Sequence, residues 1–232
     1  MDFPQTALVL AGLAALLVGF SKTGMPGAGI PAVALMAEAF REDVRLSVGA
    51  MLPILIVGDL FAIAYYRRHA DWSHLWRLFP YVLVGMVPGY LVLWYVKGTW
   101  LRRLLGGLIV TLLALHVLGR RLGWERQAQR KGFAGVSGVL AGFGTTVGNA
   151  AGPIMSVYLA SQRMEKHEFL GTAAWFFFLV NVSKIPFFAA RGMITSSTLR
   201  LDLILVPIVV CGAVIGAAVL KRIPQPVFDV LV

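Results

Sequence analysis

The sequence predicts an all-α integral membrane protein of two homologous halves. Each half holds a broken or re-entrant helix pair followed by about three transmembrane helices, with the last helix truncated. Three observations lead there. Of the 232 residues, 58% are hydrophobic and 14% charged, with a mean hydropathy of +0.78, whereas a soluble domain averages about 45–50% apolar and about 25% charged. The apolar residues form continuous runs rather than alternating ones, which selects helices over a β-barrel. Two glycine-rich interruptions also repeat each other along the chain.

A hydrocarbon core about 30 Å thick calls for roughly 20 apolar residues per helix. The runs 46–66, 78–96, 169–190 and 201–220 meet that length, and 104–118 is shorter, with Arg102 and Arg103 placed to snorkel at its start. Trp72, Trp76, Trp94, Trp100 and Trp124 lie near run ends, as an interfacial belt requires, and Trp175 is the exception. The stretch 6–40 is apolar but interrupted by Ser21-Lys22-Thr23-Gly24-Met25-Pro26-Gly27-Ala28-Gly29. The stretch 133–164 is interrupted by Gly144-Thr145-Thr146-Val147-Gly148-Asn149-Ala150-Ala151-Gly152-Pro153. Glycine and proline at that density break a helix, so each stretch reads as two half-helices around a non-helical gap.

The two gaps align without insertion. Setting Gly19-Phe20-Ser21-Lys22-Thr23 on Gly142-Phe143-Gly144-Thr145-Thr146 also matches Gly29 with Gly152 and Ala37 with Ala160. Further on, Pro80, Gly85 and Gly89 match Pro207, Gly212 and Gly216 at one offset, and Asp59 falls close to Asn181. This divides the chain into a first repeat over 1–119, a basic linker over 120–131, and a second repeat over 132–232 whose final helix is incomplete. The pairs Gly85/Gly89 and Gly212/Gly216 read as small-residue faces for close helix packing.

Loop charges weigh the topology. If each broken stretch crosses the membrane once, the loop Lys and Arg residues divide nine against ten. If each is a re-entrant hairpin, they divide seven against twelve. The second division obeys the positive-inside rule. It makes the repeats inverted, puts the N-terminus outside and makes 120–131 cytoplasmic. The formal charge of +10 then belongs to loops beside anionic headgroups, not to a nucleic-acid interface. A single cysteine, Cys211, supplies neither a disulfide framework nor a metal cluster, and no cofactor is expected. The N-terminus lacks a basic n-region, so no cleaved signal peptide is read.

Irregular backbone at membrane depth survives only where protein or water covers it, because each unpaired N–H or C=O facing lipid costs several kcal/mol. Paired broken helices therefore point to a transport site. The half-helix N-termini, expected at Ile30 and Ile154, would aim N–H groups and partial positive charge into the gap. Lys22 adds an ammonium, which must pair or meet water at depth. The candidate substrate-binding residues are Ser21, Lys22, Thr23, Gly24, Gly27, Gly29, Gly144, Thr145, Thr146, Gly148, Asn149 and Gly152. The bland reading has Lys22 snorkelling to headgroups, and Thr145, Thr146 and Asn149 merely satisfying broken backbone. Asp59, read as the only acid well inside a span, is with Asn181 and Lys184 a candidate for coupling or gating. It would serve as a proton site or as a partner for Lys22; the alternative is a structural ion pair with Lys184. His69, His74 and His167 read as solvated, and His116 as interfacial.

The run Gly19-Phe20-Ser21-Lys22-Thr23-Gly24 through Gly29-Ile30-Pro31, followed by Gly58-Asp59, resembles the sulfite exporter TauE/SafE family. So does the second copy, from Gly142-Phe143-Gly144 through Gly152-Pro153, followed by Asn181 and Lys184. The likeness covers essentially the whole chain. It implies a small bacterial inner-membrane protein of about eight helices that exports sulfite, sulfoacetate or related anions, with Lys22 and the glycine-rich gaps lining the path. The sequence reading is thus a secondary transporter for a small anion, sulfite or an organosulfonate such as sulfoacetate, in which one half rocks against the other. The expected partners are that anion and the lipid bilayer, and a homodimer is compatible with the chain. The rival reading is a passive anion channel, or a carrier of another small organic anion. An intramembrane enzyme would need a nucleophile with a base, or a metal cluster, within the spans, and the sequence offers neither.

Overall fold

The computed structural model describes residues 4–121 and 132–231. Ten α-helices follow in chain order. These are α1 (Gln5–Thr23), α2 (Gly29–Ala39), α3 (Val44–Tyr66), α4 (Trp72–Tyr95), α5 (Gly98–Arg121), α6 (Phe133–Gly148), α7 (Gly152–Ser161), α8 (Lys166–Ala190), α9 (Ser196–Arg222) and α10 (Gln225–Leu231). Single 3-10 turns precede α2 at Pro26–Ala28 and follow α3 at Arg67–His69. The predicted linker lies outside the described residues except for its first two, which end α5. Trp124 and the side chain of His116 lie outside them as well.

Local chemistry explains the boundaries. Asp43 and Asp71 accept from the backbone N–H groups of Arg45 and Ser73 and so cap α3 and α4. Thr195 and Thr198 form a reciprocal capping box at the start of α9. These polar first turns lengthen the helices beyond the apolar runs that revealed them. Five helices are long and apolar enough to cross a membrane (Gln5–Thr23, Val44–His69, Trp72–Tyr95, Lys166–Ala190 and Ser196–Arg222), with Phe133–Gly148 as a shorter apolar helix. The predicted interruptions are real. Helix α1 stops where Gly24 leaves helical dihedrals, at φ −121° and ψ −81°. Helix α6 stops at Asn149, which adopts the left-handed conformation at φ 54° that asparagine tolerates better than most residues. Each following half-helix starts slightly before the predicted position, at Gly29 and Gly152 rather than at Ile30 and Ile154.

Contacts fix the direction of each helix. Gly12 lies beside Ile208, Gly19 beside Val209 and Ala213, and Gly216 beside Thr23, so α1 and α9 run parallel. Gly135 and Gly138 lie beside Tyr81, Gly142 beside Val82 and Met86, and Gly89 beside Thr146, so α6 and α4 also run parallel. Helices α3 and α8 are antiparallel: Gly49 meets Met193, Asp59 bonds Asn181, and Gly171 meets Tyr66. Exchanging first-half elements for second-half ones maps this set of pairings onto itself.

The loops sort as hairpins do. The His69 and His167 rings lie 5.6 Å apart, and the Lys166 ammonium donates to the Ile223 carbonyl, so loops after α3, α7 and α9 share one face. On the other face the backbone of Met193 abuts Gly49, near the start of α3. A single crossing by each broken stretch would have put the loops after α3 and α7 on opposite faces.

The predicted small-residue faces are where backbones touch. A Cβ built on Gly85 would lie 2.0 Å from the Val139 carbonyl oxygen, and one on Gly212 would lie 2.1 Å from that of Leu16. Trp175, out of place in an interfacial belt by sequence, packs on Trp72 at 5.0 Å between ring centroids.

A candidate anion site between two broken helices

The two breaks meet. The nearest atom to a Cβ built on Gly152 would be the Pro26 carbonyl oxygen, 3.8 Å away. Helices α2 and α7 thus begin side by side, each with its N-terminal end at one cavity. That cavity is lined by Ser21, Lys22, Pro26, Gly29 and Ile30 from the first break and by Thr145, Asn149, Ala150, Gly152 and Pro153 from the second. Asn181 and an apolar wall including Val18, Met51, Leu55, Leu170 and Phe177 complete it. The space open to water-sized occupants is about 60 Å³. At about 15 Å³ per water, that holds about four waters, or one oxyanion of similar heavy-atom count.

Lys22 does not reach for headgroups. Its ammonium lies 2.7 Å from the Asp59 carboxylate, with the lysine side chain 9% exposed and Asp59 fully buried. It also sits 4.0 Å from the centre of the Phe177 ring, a cation–π contact worth about 2 kcal/mol when desolvated. The other Asp59 oxygen accepts from the Asn181 amide at 2.7 Å. Asp59 is therefore paired with Lys22, not with Lys184. It is also not the only buried acid in a span: Asp202 on α9 is 4% exposed, and neither carboxylate oxygen has a hydrogen-bond partner. The run 201–220 placed Asp202 at its edge, but the Thr195 cap starts α9 earlier and draws the residue inside.

Lys184 solves a different problem. Its ammonium donates to the Thr145 carbonyl at 3.1 Å, the Thr145 hydroxyl at 3.2 Å and the Asn149 side-chain oxygen at 2.7 Å. These groups lie at the C-terminal end of α6, where the helix dipole is negative; the Thr145 carbonyl also accepts from the Asn149 N–H at 3.0 Å. An ammonium has three donors and no acceptor, and here it meets three acceptors. The Asn149 amide nitrogen in turn donates to the Val48 carbonyl at 3.0 Å, tying the break to α3.

The remaining predicted residues divide by location. Ser21 lines the cavity, but its hydroxyl donates to the Val18 carbonyl. Thr23 is buried away from the cavity and donates to the Ala213 carbonyl at 2.6 Å, while the Thr23 carbonyl accepts from the Tyr66 hydroxyl at 2.8 Å. Gly24 packs on Gly216, Thr146 donates to Gly142 and packs on Gly89, and Gly148 packs on Leu105. Gly144 accepts from the Ala150 N–H, and Gly27 faces open space. None of these lines the cavity. Phe177 and the apolar wall carried no sequence signal, because an aromatic in an apolar run looks like any lipid-facing residue.

Membrane-length helices enclosing a central cavity, with two half-helices converging on it and a buried ammonium at its edge, have the architecture of a polytopic membrane transporter. The sulfite exporter TauE/SafE family model matches residues 9–232, nearly the whole chain. The chain belongs to that family, a family of membrane exporters of sulfite and related anions. Comparisons with curated proteins and with solved structures found no match.

Proposed function

We propose that the chain is a secondary transporter built from two inverted repeats, and that it exports a small anion of the sulfite or organosulfonate kind across the bacterial inner membrane. One observation carries this reading: both breaks, from opposite halves, line the same cavity, with the Lys22 ammonium between them. Lys22 pairs with Asp59 by charge, and its ammonium carries three N–H donors to offer an anion. The hydroxyls and amides of Ser21, Thr145 and Asn149 are taken up by backbone and by Lys184, so they hold the breaks in shape. The anion's remaining donors are the N–H groups of Ile30 and Ile154 at the starts of α2 and α7, since the Gly29 N–H bonds back into the 3-10 turn and Pro31 and Pro153 have none.

The division of the loop Lys and Arg residues, seven against twelve once the basic linker is counted with the ends of α3, α7 and α9, supports a cytoplasmic assignment for that face and a periplasmic N-terminus. An inside-negative potential favours the exit of each negative charge by about 2.3 kcal/mol per 100 mV, so export needs no co-ion. Asp59 is the counter-ion that Lys22 exchanges for substrate. Access alternates between the two faces around the fixed cavity.

The test is flux into proteoliposomes loaded with sulfite, sulfoacetate, sulfate or thiosulfate, comparing wild type with Lys22→Gln. Saturable flux with counterflow in wild type, and its loss in the variant, is expected. Flux without counterflow would make the protein a channel. Unchanged flux in Lys22→Gln would remove the lysine from the site.

A further inference from the structure

Resting on that reading, we infer that the site selects singly charged anions over doubly charged ones, and that Asp59 sets this preference. The argument is a charge count. Three ionisable side chains sit at or beside the cavity: the ammonium groups of Lys22 and Lys184 and the Asp59 carboxylate. Asn181 bridges the clusters, donating to Asp59 and lining the cavity. Asp202 is not among the residues that line the cavity, and its oxygens have no hydrogen-bond partner.

Helix ends do not alter the sum. Each break joins a C-terminal end, worth about half a negative charge, to an N-terminal end worth about half a positive one. The pairs α1/α2 and α6/α7 therefore cancel internally. What remains is two positive charges against one negative, a single excess positive charge at a small, mostly apolar-walled cavity. One negative charge on the ligand neutralises it; a second leaves an uncompensated anion where burial of a lone charge is most costly. The wall agrees. Val18, Met51, Leu55, Leu170 and Phe177 line the cavity, and they suit an uncharged corner of the ligand better than a fourth oxyanion oxygen. The ligand class is thus a small monoanion with one uncharged or apolar corner, such as hydrogensulfite or a short alkanesulfonate.

A matched pair of probes tests this. Methanesulfonate and sulfate share a tetrahedral centre and differ by a methyl group in place of one charged oxygen. In proteoliposomes at pH 7, methanesulfonate should compete for counterflow at least tenfold better than sulfate in wild type. Asp59→Asn raises the excess from one positive charge to two, so the ratio should fall at least tenfold toward sulfate; Asp59→Glu keeps the charge and should keep the ratio. Should Asp59→Asn fail to fold, the wild-type ratio decides alone. Sulfate equal to or better than methanesulfonate in wild type, or a ratio unmoved in a folded Asp59→Asn, would overturn the inference and leave the transporter reading standing. Transport of neither probe nor of sulfite by wild type would end both.

Discussion

Alanine at Gly19 and alanine at Gly12 are the same chemical change on the same helix, and they should move stability in opposite directions. A Cβ at Gly12 would find only the Ile208 methyl, at 3.7 Å, an ordinary contact. A Cβ at Gly19 would lie 1.9 Å from the Val209 carbonyl oxygen and 2.7 Å from the Ala213 nitrogen. Separations below 3.0 Å are essentially never seen for a Cβ, so α1 and α9 must part by about 1 Å. Both obstacles are backbone, which cannot rotate away, and that puts the change at the upper end of the roughly 1–3 kcal/mol typical of overpacking. Replacing glycine within a helix gains about 1 kcal/mol in either case. Gly12→Ala should therefore stabilise by about 1 kcal/mol and Gly19→Ala destabilise by about 2 kcal/mol, a gap of about 3 kcal/mol. Unfolding by sodium dodecyl sulfate in mixed micelles, followed by tryptophan fluorescence, measures it. Two variants within about 0.5 kcal/mol of each other would refute the close α1–α9 crossing.

Other expectations follow from the same geometry. Lys22→Met strands a fully buried Asp59 carboxylate with Asn181 as its remaining donor and should cost about 3–5 kcal/mol; adding Asp59→Leu should recover most of that loss, as thermal unfolding of the three proteins would show. The Ser73 hydroxyl, assisted by His74, holds the Asp71 carboxyl down to about 2 against the opposing effect of partial burial. A lowered carboxyl stabilises the fold above its unfolded value near 4 and loses that contribution as pH falls through its folded value. Asp71→Ala should thus cost about 1 kcal/mol of α4 capping at pH 7. The difference from wild type should vanish as unfolding is repeated between about pH 4 and pH 2.

The parts of this molecule written locally in the chain were legible in it. Continuous apolar runs gave the spans, and Gly24, Pro26, Asn149 and Pro153 gave the breaks, because helix termination depends on neighbours in sequence. The loop charges favoured hairpins by a narrow margin, and the contact between the His69 and His167 loops agrees with them. What the sequence withheld depends on which helix faces which. Lys184 read as a candidate for coupling or gating; only the approach of α8 to the end of α6 reveals that its ammonium is taken up by Thr145 and Asn149. Thr23 and Thr146 occupy the motif's most suggestive positions, yet their hydroxyls face partner helices. Asp202 was misplaced because an apolar window cannot see a capping box.

The glycine crossings also constrain how such a protein can move. Each joins a helix of one half to a helix of the other, α1 to α9 and α4 to α6, with carbonyl oxygens seated where side chains would otherwise stand. Pulling the halves apart as intact units would unzip both seams at once. Sliding the α1–α9 block past the α4–α6 block leaves both closed, with the antiparallel α3 and α8 as the surface between them. Blocks that keep both seams closed combine helices from the two halves of the chain.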